Sequence, residues 1–322
     1  MKTSLKSRFP HVSIVLLSHN QKNNTLECLN SFQSVTYENF TIFLVDNGSI
    51  DGTYEAVREA FPSVQIFRSK INLGCAGGRN HCAQKAIEQY STGYLLILDN
   101  DIVVEPDFID HLVETADENQ NSGIVTSKIL NFNNRDVIDT IGNGVNLYTG
   151  KVTKVGSGEK DRGQYDSLFH LEAANGCCQL IAAELWKELA GFDEAFSPYG
   201  YEDTDLSLRV RKLNKKILLA HKAKIYHKGT QTLGGGKYIS AYTSVKGKNM
   251  RLFLFKHAKL HHRIGFLFAA PLLAVGSIQR AIRAGDLRAA FRMFFSFFCA
   301  SHKEINPRTD PAENQDGFLL PK

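Results

Sequence analysis

This chain of 322 residues lacks any long apolar run. Its best candidate for a membrane-spanning helix, Ile264 to Ile278, covers roughly fifteen residues where about twenty are needed. The opening Met-Lys-Thr-Ser-Leu-Lys-Ser-Arg-Phe-Pro has no apolar centre, so no signal peptide is expected. Cysteine is scarce: there are six and none is spaced as Cys-x-x-Cys, which excludes a disulfide framework in a chain of this size. Reduced thiols, and with them a cytoplasmic compartment, are the expectation. The adjacent Cys177 and Cys178 read as small buried residues, with a redox-active pair as the alternative. Low-complexity tracts are absent, and neither sign of charge dominates. A formal net charge of +5 suits anionic small molecules or an anionic membrane face and gives no sign of a nucleic-acid partner.

What is present is a regular alternation. Val12 to Ser18 (VSIVLLS) is a β-branched apolar run that predicts a buried parallel strand. A polar turn follows, and Thr25 is a candidate cap for a helix reaching about Val35. Phe40 to Val45 predicts a second strand, Gly52 to Phe61 a helix, Val64 to Arg68 a strand, Ala76 to Tyr90 a helix and Tyr94 to Leu98 a strand. Alternation at this spacing predicts an α/β fold, a mostly parallel sheet with helices on both faces. Ligands bind such sheets at the carboxyl ends of strands. Four polar clusters, 18–20, 46–49, 72–80 and 99–101, all follow predicted strands and so converge on one edge. The stretch 123–170 suggests hairpins or an acceptor-side flap. Helices are predicted over Ala182 to Ala190, ending at Gly191, and over Thr204 to Leu213.

The chemistry-bearing residues are mostly acidic. Asp99-Asn100-Asp101 closes a buried strand, and two carboxylates on alternate residues repel unless a hard divalent cation relieves them; an ordinary Asx turn is the plain alternative. Asp46 can accept a hydrogen bond from the imide of a uracil or thymine, while Asp51 caps the next helix. Asn72 to Asn80 is a glycine-rich turn entering a helix, where backbone N–H groups and Arg79 favour an anion. It is neither a G-x-G-x-x-G fingerprint nor a Walker lysine loop, and close packing of helix on sheet would also demand its glycines. Glu202 and Asp203 are expected just ahead of a helix, where a carboxylate can act as general base. Asp205, in the first turn, reads as structural. His227 ends a β-prone segment and is a candidate imidazole ligand, although spacing alone does not single it out among eleven histidines.

With those residues in view, the sequence resembles family 2 glycosyltransferases, and especially the rhamnosyltransferase-like branch. The resemblance rests on VSIVLLSHN (12–20), VDNGSIDGT (45–53), NLGCAGGRN (72–80), LDNDIVV (98–104), NGCCQLIAAELWKELAGFDEAF (175–196), YEDTDLSLRVRK (201–212) and YHKG (226–229), in the family's order. A stretch from Tyr242 to His257 resembles the family's Tyr/Arg-Asn helix, with Lys248 where Arg is usual. The resemblance implies a GT-A (Rossmann-like) fold and an inverting, metal-dependent transfer from a UDP- or dTDP-sugar to a glycan or lipid-linked acceptor. Ser18, Asn20 and Asp46 would sit at the nucleoside, and Asn72 and Arg79 at the base and diphosphate. Asp99 would approach ribose or metal, and Asn100 belongs with the same nucleotide-sugar pocket. Asn175 and Gly176 would border the donor sugar. Asp101 and His227 would hold Mn2+ or Mg2+. Asp203 would be the catalytic base, with Glu202 beside it.

The composition changes from Arg251 onward. The expected division is a catalytic domain over 1–245, a helical segment over 246–302 and a disordered tail over 303–322. Phenylalanines 291, 294, 295, 297 and 298, with Arg288 and Arg292, fit a basic amphipathic helix lying on an anionic membrane, peripheral to its cytoplasmic face. The same segment would also serve as a hairpin packed on the catalytic domain or in a homodimer interface. Two other classes compete. A sugar nucleotidyltransferase would want a glycine-rich basic turn directly after the first strand, where Ser18-His19-Asn20 stands. A non-catalytic nucleotide-sugar-binding module would show losses among Asp99, Asp101, Asp203 or His227, and all four are present.

Overall fold

A computed structural model describes residues 10–167, 169–229, 239–283, 297 and 318–319. Its first half is the predicted alternation. Strand β1 (Val12–Ser18) runs parallel to β2 (Phe40–Asn47) on one side and to β4 (Tyr94–Leu98) on the other, and β3 (Gln65–Ser69) lies parallel outside β2. Between them come α1 (Lys22–Ser31), α2 (Thr53–Ala60) and α3 (Gly74–Gln89). Successive strand residues face opposite layers. Val12, Ile14 and Leu16 pack with Cys28 and Leu29 of α1, while Val15 packs with Ala76, Cys82 and Ala83 of α3. Both faces are covered, which is why the strands read as unbroken apolar runs. Each fully buried Leu or Ile contributes roughly 1.5–3 kcal/mol.

The second half makes the sheet mixed. It comprises β5 (Ile102–Val104), α4 (Phe108–Glu118), β6 (Ser122–Asn131), β7 (Ile138–Thr140), a hairpin of β8 (Asn143–Asn146) with β9 (Lys151–Lys154), β10 (Phe169–Leu171), β11 (Cys178–Ala182), α5 (Ala183–Glu188), α6 (Glu202–Lys212) and β12 (Lys216–His227). The strand order is β10-β12-β6-β11-β4-β1-β2-β3, with β5 on β12 and β7 on β6. Strand β11 runs antiparallel to β4 and pairs Cys178 with Leu98, while β12 runs antiparallel to β5 and pairs His227 with Ile102. These two registers carry residues 175–178 and His227 to the end of β4.

The starts of α1 and α2 differ from expectation. Thr25 lies inside α1, buried, with its hydroxyl donating to the Gln21 carbonyl at 2.9 Å. The helix starts earlier because the Asp51 carboxylate, from the neighbouring loop, accepts the Lys22 N–H at 2.9 Å. Helix α2 starts one residue later than predicted, after Gly52 at φ +80°, and Asp51 also accepts the Thr53 N–H at 3.1 Å.

Helices α7 (Ile239–His257) and α8 (Leu260–Arg283) follow, and α7 runs across residue 245. Buried Asn249 donates its side-chain amide to the carbonyls of Phe196, Tyr199 and Gly200 at 2.6, 2.9 and 3.1 Å. Among the described residues no helix is long and apolar enough to cross a membrane. Leu260, Ile264, Leu267, Phe268 and Val275 form an exposed stripe along α8. Of the predicted aromatic cluster only Phe297 is described, stacked on Phe266 at 5.1 Å; the rest falls outside the described residues. In the predicted tail, Phe318–Leu319 (β13) pairs antiparallel with β3.

Asp205 joins α6 to α7. It is fully buried and contacts Arg209 at 2.8 Å, Lys256 at 2.7 Å and His257 at 2.8 Å. Burial alone would raise its pKa, but the hydrogen bond from His257 and the charges of Arg209 and Lys256 hold it down at about 2. Against an ordinary value of 3.8 this depression contributes about 2 kcal/mol at neutral pH. A depressed carboxyl stabilises fully above its unfolded pKa, and that stability is lost as pH falls through the folded value. Asp205→Asn is therefore expected to lower stability at pH 7 by about 2 kcal/mol or more. In urea midpoints measured across pH, the gap between variant and parent should close between about pH 4 and pH 2.

Candidate active site

The residues that end β4 are held in two ways. Asn100 turns into the core and donates to the Thr25 hydroxyl at 2.8 Å and the Ser18 hydroxyl at 3.3 Å, and Ser18 and Thr25 are themselves 2.8 Å apart. This buried knot ties β1, α1 and the end of β4 together, and it engages both Ser18 and Asn100. Asp99 forms an ion pair with buried Arg79 of α3, and Asp101 lies against His227.

His227 is anchored from both sides. Its Nε2 is 3.5 Å from an Asp101 carboxylate oxygen, and its Nδ1 is 2.8 Å from the carboxylate of Asp139 in β7. Asp139 is itself paired with Lys154 at 2.7 Å. Ligand atoms of Asp99, Cys177 and His227 lie within 4.8 Å of one another. Burial opposes charge on His227, but Cys177, Asp101 and Asp139 outweigh it and raise its pKa. Burial pushes the Cys177 thiol up to about 12. With Nδ1–H given to Asp139, loss of the other proton turns the Nε2 lone pair toward Asp101. Oxygen, nitrogen and sulfur donors around one point, with the imidazole fixed by an outer carboxylate, fit a divalent cation that displaces the His227 proton.

Glu202 and Asp203, expected ahead of a helix, are instead its first two residues. Tyr201 caps α6 in the left-handed region at φ +77°, which lets the turn begin immediately. Asp203 accepts the Gly176 N–H at 3.0 Å on one oxygen, and on the other the Thr204 N–H at 2.7 Å and hydroxyl at 3.2 Å. One oxygen of Glu202 is buried with no hydrogen-bond partner. Burial raises the pKa of both acids, and the Asp203 charge adds to the rise in Glu202. Burial also disfavours the charge on Arg79, yet Asp99, Glu202 and Asp203 act on it strongly enough to keep it protonated. Arg79 is thus the electrostatic link between the end of β4 and the start of α6. Asp203 faces a cavity of about 290 Å³ whose lining includes Asn143, Asn175, Tyr199, Thr204 and Lys246.

The other predicted positions lie along the neighbouring strand ends. Ser18 and Asp46 are opposite each other in the β1–β2 register. Asp46 is fully buried; one oxygen accepts the Ser49 N–H at 3.0 Å, and the other is 3.5 Å from Arg68 without a hydrogen bond. Asn20, at φ +53°, donates its N–H to Ser49 at 3.0 Å and accepts that of Ile50 at 2.8 Å. Asn72 accepts from Asn47 at 2.9 Å and from the Gly74 N–H at 2.8 Å.

The glycine-rich turn does not form the expected anion cradle at its first N–H groups. Those of Leu73, Gly74 and Cys75 are taken by Asn47, Asn72 and the Pro198 carbonyl. Its glycines serve close approach: a Cβ at Gly78 would collide with the Leu17 side chain, and one at Gly74 would meet the Ser197 hydroxyl at 2.6 Å and the Pro198 carbonyl at 2.9 Å. Two members of the site do not stand out in the sequence. Asp139 gives no signal there, because its partner is 88 residues away. Cys177 reads as packing, although it directly follows Asn175-Gly176.

Residues 13–169 match the family described as Glycosyl transferase family 2. Glycosyltransferase AglE of Haloferax volcanii is 32% identical over 116 residues, 34% of this chain and 37% of that protein. N-acetylglucosaminyl-diphospho-decaprenol L-rhamnosyltransferase of Mycobacterium tuberculosis is 23% identical over 223 residues, 64% of this chain and 72% of its own length. The chain thus spans little over a third of the first relative and under three quarters of the second. Mannosyltransferase PcManGT from Pyrobaculum calidifontis, solved with GDP-Man and Mn2+, superposes with a TM-score of 0.57 at 14% identity, over 92% of this chain and 89% of that one. The likeness is one of fold, and the fold is the expected GT-A arrangement.

Gly74 has φ +76° and a carbonyl against the position of its missing Cβ. Gly74→Ala is expected to cost about 2–4 kcal/mol, combining left-handed strain with overpacking. Chemical denaturation would read it, and an unchanged midpoint would remove close packing as the reason for this glycine.

Proposed function

This chain belongs to glycosyl transferase family 2, and from that premise we propose that it transfers a sugar from a UDP- or dTDP-sugar to an acceptor hydroxyl with inversion at the anomeric carbon. The setting we propose is synthesis of a bacterial cell-surface polysaccharide or glycolipid. The observation that carries the reading is the meeting of Asp99, Cys177 and His227 around one point, with Asp101 3.5 Å from His227 and Asp203 hydrogen-bonded to Gly176 beside Cys177.

In this reading Asp203 takes the proton of the acceptor hydroxyl. Its raised pKa makes it a stronger base than an ordinary carboxylate, and the Gly176 and Thr204 N–H groups fix its direction. The hydroxyl oxygen bonds to the anomeric carbon as the bond to the leaving diphosphate breaks, and that electron pair stays on the diphosphate. Glu202 shapes the acceptor side. Asp46 and Asn20 serve the nucleoside, where the Asp46 oxygen that accepts no hydrogen bond suits an imide N–H. Arg79 offsets Asp99, Glu202 and Asp203, so that an anionic donor is not repelled from their cleft. Asp101 and His227 would hold Mn2+ or Mg2+, which supplies charge neutralisation at the diphosphate. The exposed apolar stripe of α8, next to Lys259 and Arg263, supports a lipid-linked acceptor met at an anionic membrane face.

Two variants separate the roles. With a panel of nucleotide-sugars and added Mn2+, Asp101→Ala should abolish metal-dependent hydrolysis of the one donor that the parent turns over; undiminished turnover would reject the cation assignment. Asp203→Asn should keep donor affinity, measured by calorimetry, and lose transfer by about 100-fold or more. Normal transfer in that variant would take the general-base role from Asp203.

A further inference from the structure

Cys177 has no part in the transfer step, yet its sulfur is one of the atoms gathered within 4.8 Å at the end of β4. We infer that this sulfur gives the site a second specificity: Asp99, Cys177 and His227 together capture a thiophilic divalent ion, Zn2+ or Cd2+. This specificity rests on the cation site proposed above and adds a soft ligand to it.

The donor set is what such ions select. Thiolate, imidazole and carboxylate together suit zinc and cadmium, whereas Mg2+ and Mn2+ prefer oxygen. Ligand atoms on a zinc tetrahedron are about 3.3–3.8 Å apart, so side-chain rotations of about 1 Å bring the three to that spacing. Asp101, 3.5 Å from His227, is within reach as a fourth donor. The imidazole is already aimed, because Asp139 holds its other nitrogen at 2.8 Å. Cys177 is buried, but the Asp99 side chain is 28% exposed and opens the way in. Binding is a ligand exchange without redox change: the sulfur–metal and nitrogen–metal bonds form, the Cys177 thiol proton and the His227 Nε2 proton leave to solvent, and the ion sheds water. The ion occupies the ground proposed for Mn2+, so it competes with Mn2+ rather than adding to it.

The test uses the full chain, with Cd2+ alone as the probe. Ultraviolet titration should give a thiolate-to-cadmium charge-transfer band that saturates at one equivalent in the parent and is missing in Cys177→Ser. The affinity lost in the variant should be at least the roughly 10- to 100-fold that follows loss of an outer-shell partner. Cadmium NMR of the unaltered chain gives a second readout that needs no variant, since a resonance shifted by one sulfur differs from one set by oxygen and nitrogen alone. Mn2+ bound to the parent, followed by electron paramagnetic resonance, should be released as Cd2+ is added. A missing band, an equal band in Cys177→Ser, or a sulfur-free resonance would overturn the inference. If that happened while Mn2+-dependent turnover persisted, sugar transfer would stand without it. A cadmium–sulfur band in a chain that turns over no nucleotide-sugar would keep the thiophilic site and remove sugar transfer.

Discussion

Carboxylates crowded into a half-buried cleft repel one another, and the fold answers with one buried guanidinium. Arg79 projects from α3 to Asp99 and exerts its charge on Glu202 and Asp203 as well. Its position is fixed by the glycines before it, which let α3 lie directly on β1 and on the 197–198 segment. Replacing those glycines with larger residues would push α3 outward and carry Arg79 away from the acids it balances. The glycine-rich turn therefore serves charge placement through packing rather than through its own N–H groups. His227 is the second positive group of the cleft, and the carboxylates of Asp101 and Asp139 on either side of its ring favour its charge.

The first hundred residues are legible in the sequence because each strand is a run of apolar residues covered on both faces, and each run ends in a polar cluster at the same edge of the sheet. The Asp99/Asp101 pair follows from that logic. The contacts of His227 do not, because they depend on two antiparallel registers, β11 on β4 and β12 on β5, and nothing local in a sequence fixes a non-local register. Asp139 is hidden for the same reason. The start of α6 is displaced by one local fact, the left-handed Tyr201, which a non-glycine residue rarely signals. Position alone groups Ser18 and Asn100 with the nucleotide, whereas their side chains are engaged with Thr25. The resemblance locates the right segments; the direction of each side chain within them comes from packing.

Helix α7 is joined to the preceding layer by buried polar groups as well as by an apolar cluster. Asp205 receives Lys256 and His257 from α7, and Asp193 also pairs with Lys256 at 2.6 Å. Such contacts are directional, so they fix the angle of α7 as well as its distance. A smaller apolar cluster of Phe196, Tyr201, Met250 and Phe253 fills the space between.

The grip of Asn249 on three carbonyls just ahead of α6 has a mechanical consequence. One amide, carried on a helix of 19 residues, thereby fastens the segment that leads into Glu202 and Asp203. The placement of α7 and the approach of the chain to the acid pair are therefore set by the same side chain.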